Sequence, residues 1–134
     1  MERSFRRSID SLDGIFQFVS EFLAGEGLEK SNAFSLNLIL EELFTNMVKY
    51  STESDHEVLI AMDRSEDQLV LSLTDFDVDR FDITQAPEVD VDQPLSERTP
   101  GGLGIHFVRQ MTDNISYEYE DRNSKIILTK RVEA

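Results

Sequence analysis

The stretch T-P-G-G-L-G-I-H-F-V, residues 99–108, sets three glycines, Gly101, Gly102 and Gly104, directly ahead of an apolar helical pattern. Glycine lacks Cβ, so its backbone amide can approach a phosphate oxygen closely. A helix N-terminus adds unpaired N–H groups and a partial positive charge. The string is not a Walker A sequence, because no Gly-Lys-Ser/Thr follows, and it is not a full dinucleotide fingerprint. The same glycines also suit a turn that binds nothing. What stands upstream decides between the two.

Residues 76–100 show no clear element and hold all three prolines among many acids. A loop of that length inside a domain is usually functional or disordered. It opens on D-F-D-V-D-R-F-D, residues 75–82, which has the look of a cation loop. An EF-hand needs Gly at its sixth position and Glu at its twelfth. Arg80 and Ala86 stand there, and a strand precedes the segment where a helix should, so that reading fails. An aspartate at a strand end below a long loop can instead accept a hydrogen bond from an exocyclic amine such as adenine's. A plain polar strand-to-loop transition has the same composition.

Further upstream, E-E-L-F-T-N-M-V-K-Y ends a long helical pattern at residue 50. Glu42 and Asn46 are four apart and project from adjacent turns. A carboxylate there can take a proton from an attacking hydroxyl. An amide oxygen can ligate Mg²⁺ together with phosphate oxygens, and Lys49 can reach a phosphate. An ordinary solvated face of an amphipathic helix uses the same spacing.

The remaining chain reads as packing. Residues 3–8 suit a short edge strand. Asp10 or Ser11 is expected to cap a helix with Ile15, Phe18, Val19, Phe22 and Leu23 on one face, stopped by Gly25 and Gly27. Ser31 or Asn32 opens the second helix, with a stripe of Phe34, Leu38, Leu40, Leu43, Phe44, Met47 and Val48. Residues 58–62 and 69–73 form a hairpin about Ser65–Asp67, and I-S-Y-E-Y-E-D with K-I-I-L-T-K-R forms another turning near Asn123. Tyr117 and Tyr119 alternate along that strand and pack there. The order of elements predicts an α+β fold, with an antiparallel or mixed sheet covered by helices on one face.

Composition narrows the function classes. The 134 residues, 40% of them hydrophobic, suit a single domain with one core. A net charge of -14 disfavours nucleic acid and anionic membranes as partners. Cysteine is absent, which removes disulfides, thiolate metal sites and cysteine nucleophiles. The first residues lack the apolar segment of a signal peptide, and no apolar run approaches spanning length. A cytoplasmic protein is the expectation. His56 and His106 lack metal-ligand spacing.

The order acid-and-asparagine helix, strand-end aspartate, long loop, Gly-rich helix start resembles the ATP-binding domain of the GHKL superfamily. It is similar in particular to the small anti-sigma factor serine/threonine kinases, over about residues 5–132. Glu42-Leu-Phe-Thr-Asn46-Met-Val-Lys49-Tyr50 looks like the N box, whose acid is the general base and whose asparagine ligates Mg²⁺. Thr74-Asp75 followed by Arg80-Phe81-Asp82 looks like the G1 box, whose aspartate reads the adenine amino group. Pro94-Leu-Ser-Glu-Arg98 followed by Gly101-Gly102-Leu103-Gly104-Ile105-His106 looks like the lid and G2 box. Thr129 matches a threonine placed beside adenine in some members. Asp77 departs from the pattern, standing where the G1 box has glycine, and Phe81 comes one residue late; Asp77 is the alternative reader in a shifted register.

The resemblance implies a two-layer α/β sandwich with a mixed, mostly antiparallel sheet (a Bergerat ATP-binding fold) and a lid over about residues 82–102. It implies ATP or ADP with Mg²⁺ as ligands and phosphorylation of a small anti-sigma-antagonist (STAS-like) protein. A sigma factor or other regulator would be a second partner, and a homodimer is compatible. Two alternatives share the fold: a module that binds partners with weak or no nucleotide affinity, and a stand-alone piece of a phosphorelay.

Overall fold

The computed structural model describes residues 1–28, 30–50, 56–78 and 102–131, apart from the side chains of Tyr50 and of residues 102–106. Phe81, Gly101 and the lid up to residue 101 lie outside the described residues.

Strand β1 (Glu2–Phe5) is followed by a 3-10 turn (Ile9–Ser11) and helix α1 (Leu12–Gly25). The capping expectation shifts by one step. Ser11 makes no side-chain cap to α1; Ser8 caps the 3-10 turn instead, its Oγ accepting from the Asp10 N–H at 3.3 Å. Ser11 Oγ donates to the Arg6 carbonyl at 2.8 Å, which occupies it elsewhere. The helix stops as predicted. Gly27 takes φ +67, and the Leu28 N–H reaches back to the Leu23 carbonyl at 2.9 Å. All five residues of the predicted α1 face are buried.

Helix α2 (Asn32–Tyr50) begins where its sequence predicts; its stripe is buried as expected from Leu40 on, but its first turns face the core with Leu36 and Ile39 in place of Phe34 and Leu38. Leu36, Ile39, Leu40, Leu43, Phe44 and Met47 are buried, while Phe34 is 77% and Leu38 38% exposed. At about 100° per residue, positions 34 and 38 point nearly opposite to 36. The true face follows the i, i+3, i+4, i+7, i+8 rule once it is started at Leu36. The sequence offers apolar residues on both sides, and only the sheet selects one.

The sheet has strands β2 (Val58–Ser65), β3 (Gln68–Asp75), β4 (Asn114–Glu120) and β5 (Asn123–Arg131) beside β1, in the order β1-β2-β3-β5-β4. Among the described residues every pairing is antiparallel, the first of the two arrangements that the element order allows. Alternation places Val58, Ile60 and Met62, then Leu69, Leu71 and Leu73, then Ile126 and Leu128 on one face. That face packs against α1, α2 and helix α3 (Gly102–Met111) as one apolar cluster. The chain therefore forms the α+β layered fold that its element order implies.

Asp75 ends β3 on the covered face, one step past Leu73 in the alternation. It is 1% exposed, in line with a row of leucines. Whatever chemistry this carboxylate serves, the sheet register puts it under the helix layer.

Candidate functional site

Asp75 is paired to Ser124 across the β3–β5 ladder, and both are buried. Its carboxylate Oδ1 accepts from Nη2 of Arg7, in an ion pair whose side chains are only 2% and 10% exposed. The other terminal nitrogen of Arg7, Nη1, donates to the Met47 carbonyl at 2.9 Å. One guanidinium thus joins the end of β3 to the last turns of α2. Asn46, the residue before Met47, is itself buried at 9% exposure. A charge pair out of water is costly unless both members are well partnered; here both terminal nitrogens of Arg7 are engaged, while its Nε is buried without a hydrogen bond.

Glu42 lies one turn before Asn46 on α2 and is half-buried. Burial raises its carboxyl above the ordinary glutamate value; a hydrogen bond from Asn46 pulls it back, Glu41 adds to the rise and Lys49 opposes it. A hydrogen bond that stabilises the carboxylate comes from a donor, so the Asn46 amide NH₂ faces Glu42. An amide oxygen suits a hard cation, so Asn46 is the residue of this pair that could hold Mg²⁺, and Glu42, its carboxyl raised by burial, the one that could take a proton. Lys49 is exposed in the last turn of the same helix, and Tyr50 closes it.

Asp77 resolves the departure from the glycine pattern. Its backbone sits at φ 56, the left-handed region a glycine would fill. Aspartate is among the residues that tolerate it. The side chain turns outward and accepts from Arg122 Nε at 2.8 Å; that hydrogen bond, with the charge of Arg122, holds its carboxyl below the ordinary range. Asp77 is exposed where Asp75 is buried. The next residue, Val78, is fastened to the β4–β5 hairpin: its N–H donates to the Arg122 carbonyl at 2.9 Å, and its carbonyl accepts from the Tyr119 hydroxyl at 2.7 Å. Tyr119, expected only to pack, is half of that clasp.

The Gly-rich string starts α3 at Gly102, so Gly102, Leu103, Gly104 and Ile105 form its first turn as a phosphate-facing helix start requires. The structure does not bring Thr129 to Asp75. Thr129 pairs with Val70, five residues along β5 from Ser124, in the alternation opposite to Ile126 and Leu128. Sequence reading missed two residues here. Ser124 was reachable by counting back in steps of two from Leu128 and Ile126. Arg7 was not: nothing in S-F-R-R-S distinguishes it from Arg6 until β3 and α2 meet around it.

The sequence profile of the histidine kinase-like ATPase domain matches residues 5–130. Among curated proteins none matches the chain. Solved structures similar to it include the RsbU and RsbW domains of Rv1364c from Mycobacterium tuberculosis, with TM-score 0.68 and 14% identity. That similarity covers 98% of this chain and 32% of the other, so this chain spans about a third of that polypeptide. A chain of the SiaB-SiaC complex from Pseudomonas aeruginosa matches with TM-score 0.64 and 20% identity, over 98% of this chain and 89% of its own length. The Acinetobacter baumannii histidine kinase AdeS matches with TM-score 0.53 and 12% identity, over 100% and 68%. At these identities the structural matches speak for the fold.

Proposed function

The chain belongs to the histidine kinase-like ATPase domain family, and on that premise we propose that it binds Mg-ATP and transfers the γ-phosphoryl group to a serine or threonine of a small anti-sigma-antagonist-type protein. The observation that carries the proposal is the juncture of α2 and β3: Glu42 and Asn46 on one side, Asp75 on the other, with Arg7 between them. The likeness to the RsbU and RsbW domains of Rv1364c and to a chain of the SiaB-SiaC complex supports a protein partner for this fold.

In this reading Asp75 accepts a hydrogen bond from the adenine amine, and the start of α3 offers backbone N–H groups, at Gly102 and Gly104, to phosphate oxygens. Asn46 holds Mg²⁺ by its amide oxygen; the ion, when bound, offsets charge on the triphosphate. Glu42 takes the proton of the partner's hydroxyl as its oxygen bonds to the γ-phosphorus, and the bond to the β–γ bridging oxygen breaks to release ADP. Lys49 adds positive charge near the transferring group. Catalysis of this type is mostly positioning and charge stabilisation.

The test is phosphate transfer from Mg-ATP to antagonist-domain proteins encoded near this chain's gene, with Glu42→Ala as control. Transfer that the substitution abolishes supports the kinase. A protein that binds ATP and phosphorylates no antagonist is not one. The second reading, a partner-binding module with little nucleotide affinity, is favoured by one observation: Asp75 already has a cationic partner in Arg7. Calorimetry separates the two. Micromolar Mg-ADP binding lost in Asp75→Asn supports the nucleotide site, and silence at millimolar ligand supports the module.

A further inference from the structure

Helix α2 carries one oblique row at a spacing of four: Phe34, Leu38, Glu42 and Asn46. Side chains four apart on a helix lie one above the other, each turned by about 40° from the last. Exposure falls along the row, from 77% at Phe34 through 38% at Leu38 to 9% at Asn46, with Glu42 half-buried between them. The row is a ramp. It starts as hydrocarbon in water and ends in the polar side chains of the candidate site. Phe34 and Leu38 do not serve the core, which the first turns of α2 meet with Leu36, Ile39 and Leu40. A single exposed apolar residue needs no explanation. Two on one row that runs into the proposed base do.

We infer that Phe34 and Leu38 seat the protein substrate: the segment that bears its serine or threonine lies on them as the hydroxyl reaches Glu42. The inference rests on Glu42 being the base, as proposed above. Four residues of a helix rise about 6 Å and eight about 12 Å. An extended segment advances about 3.3 Å per residue and keeps every second side chain on one face. A hydroxyl held at Glu42 therefore sets the second residue along that segment over Leu38 and the fourth over Phe34. Charge describes the rest of the partner. Glu41 is exposed and flanks Leu38 at a spacing of three, and the chain carries a net charge of -14. An acidic segment is repelled from such a surface and a basic one is drawn to it. The partner so described has apolar residues two and four positions from its acceptor hydroxyl, on the same side, with lysine or arginine rather than acids beside them.

The experiment is calorimetric binding of the full chain, with saturating Mg-ADP, to the antagonist-domain proteins encoded near its gene. Wild type is compared with Phe34→Ala, Leu38→Ala and Glu41→Lys, each with a melting curve and its own Mg-ADP titration. Phe34→Ala and Leu38→Ala are expected to weaken partner binding about tenfold or more, the scale of an interface anchor, and to leave Mg-ADP affinity unchanged. Glu41→Lys is expected to weaken it too and to reduce its dependence on salt. Folded alanine variants that bind the antagonist as wild type does overturn the inference, and leave the base and the nucleotide site as they were. A wild type that binds no antagonist overturns it as well. So does a wild-type dimer that Phe34→Ala splits in sedimentation, since a second copy then covers the row. Antagonist binding that the alanine variants weaken, with no phosphate transfer by wild type, supports the seat and refutes the kinase reading.

Discussion

Asp77 shows how one residue can break a motif and keep its geometry. A left-handed backbone at φ 56 is one that glycine adopts freely, and aspartate meets it with a side chain turned out to Arg122. The pair is exposed on both sides, and such pairs contribute little. Asp77→Gly should therefore leave the fold unchanged and alter Mg-ADP affinity by less than about fivefold, the scale of a single surface ion pair; calorimetry beside a melting curve checks both. Glu42 is the opposite case, where motif and geometry agree and the environment tunes the group. Its folded-state carboxyl titrates above the ordinary glutamate value, chiefly through burial. The basic form appears only above that raised value, so transfer should fall as pH drops through it and not at the usual glutamate pH. Glu42→Gln should slow transfer about a hundred- to ten-thousandfold and flatten that limb of the pH profile. The same shift has a stability side. A carboxyl raised on folding binds its proton more tightly in the native state, so it lowers stability once pH exceeds its unfolded value. Glu42→Gln should melt higher than wild type at neutral pH, with the gain vanishing in acid and kept modest by the group's partial exposure.

At the scale of elements, α2 is both the spine of the core and the bearer of the site. Leu43 and Phe44 are fully buried immediately after Glu42, so the face that packs and the face that carries the candidate site alternate within one turn. Leu43→Ala should cost about 2–5 kcal/mol, whereas Phe34→Ala, at 77% exposure, should stay within about 0.5 kcal/mol; chemical denaturation distinguishes them. The helix was legible in sequence as a helix, with its ends and with Glu42 and Asn46 on one side. Its rotation was not, because Phe34 and Leu38 continue the apolar pattern at helical spacing and only contact with the sheet decides against them. The hairpins were legible for the converse reason: alternation along β2, β3 and β5 has a period of two and no competing phase. The clasp between Tyr119 and Val78 lay beyond sequence, since it joins residues 41 apart through a hydroxyl and a carbonyl. Tyr119→Phe should cost about 0.5–1.5 kcal/mol, a single part-buried hydrogen bond, measured by urea unfolding.

For the molecule as a whole, the Arg7–Asp75 pair connects parts of the chain 68 residues apart. It ties the connection after β1 to the end of β3, and through Met47 to α2. Buried pairs are weak sources of net stability but expensive to halve. Asp75→Asn should therefore destabilise by about 3–5 kcal/mol as well as remove the proposed base contact, and a double-mutant cycle with Arg7→Ala should show strong coupling, the second substitution costing little once the first is made. Loss of nucleotide binding in Asp75→Asn thus counts only where a melt shows the variant folded. The α+β architecture was legible because helix-period and strand-period segments alternate in a recognisable order, and the candidate site because three motifs keep their sequence order. The bridge between them was not, since a charge pair of this separation is specified by packing and leaves no periodic trace.

The two turns at opposite ends of the β3 ladder have unequal standing. Asp121 and Arg122 both take left-handed backbone, at φ 53 and 64, and Arg122 accepts from the Val78 N–H with its carbonyl and donates to Asp77 with its guanidinium. Glu66 and Asp67 turn at the other end of β3, roughly 23 Å away at the rise of an extended strand, and make no bond to the candidate site. Because the chain has no cysteine of its own, a single introduced thiol labels one place only. A dye at position 66 would ride on a quiet corner and serve as the reference. The same dye at position 122 would sit on the segment that leads out of the candidate site, and on the proposed function its emission would report occupancy without touching Asp75.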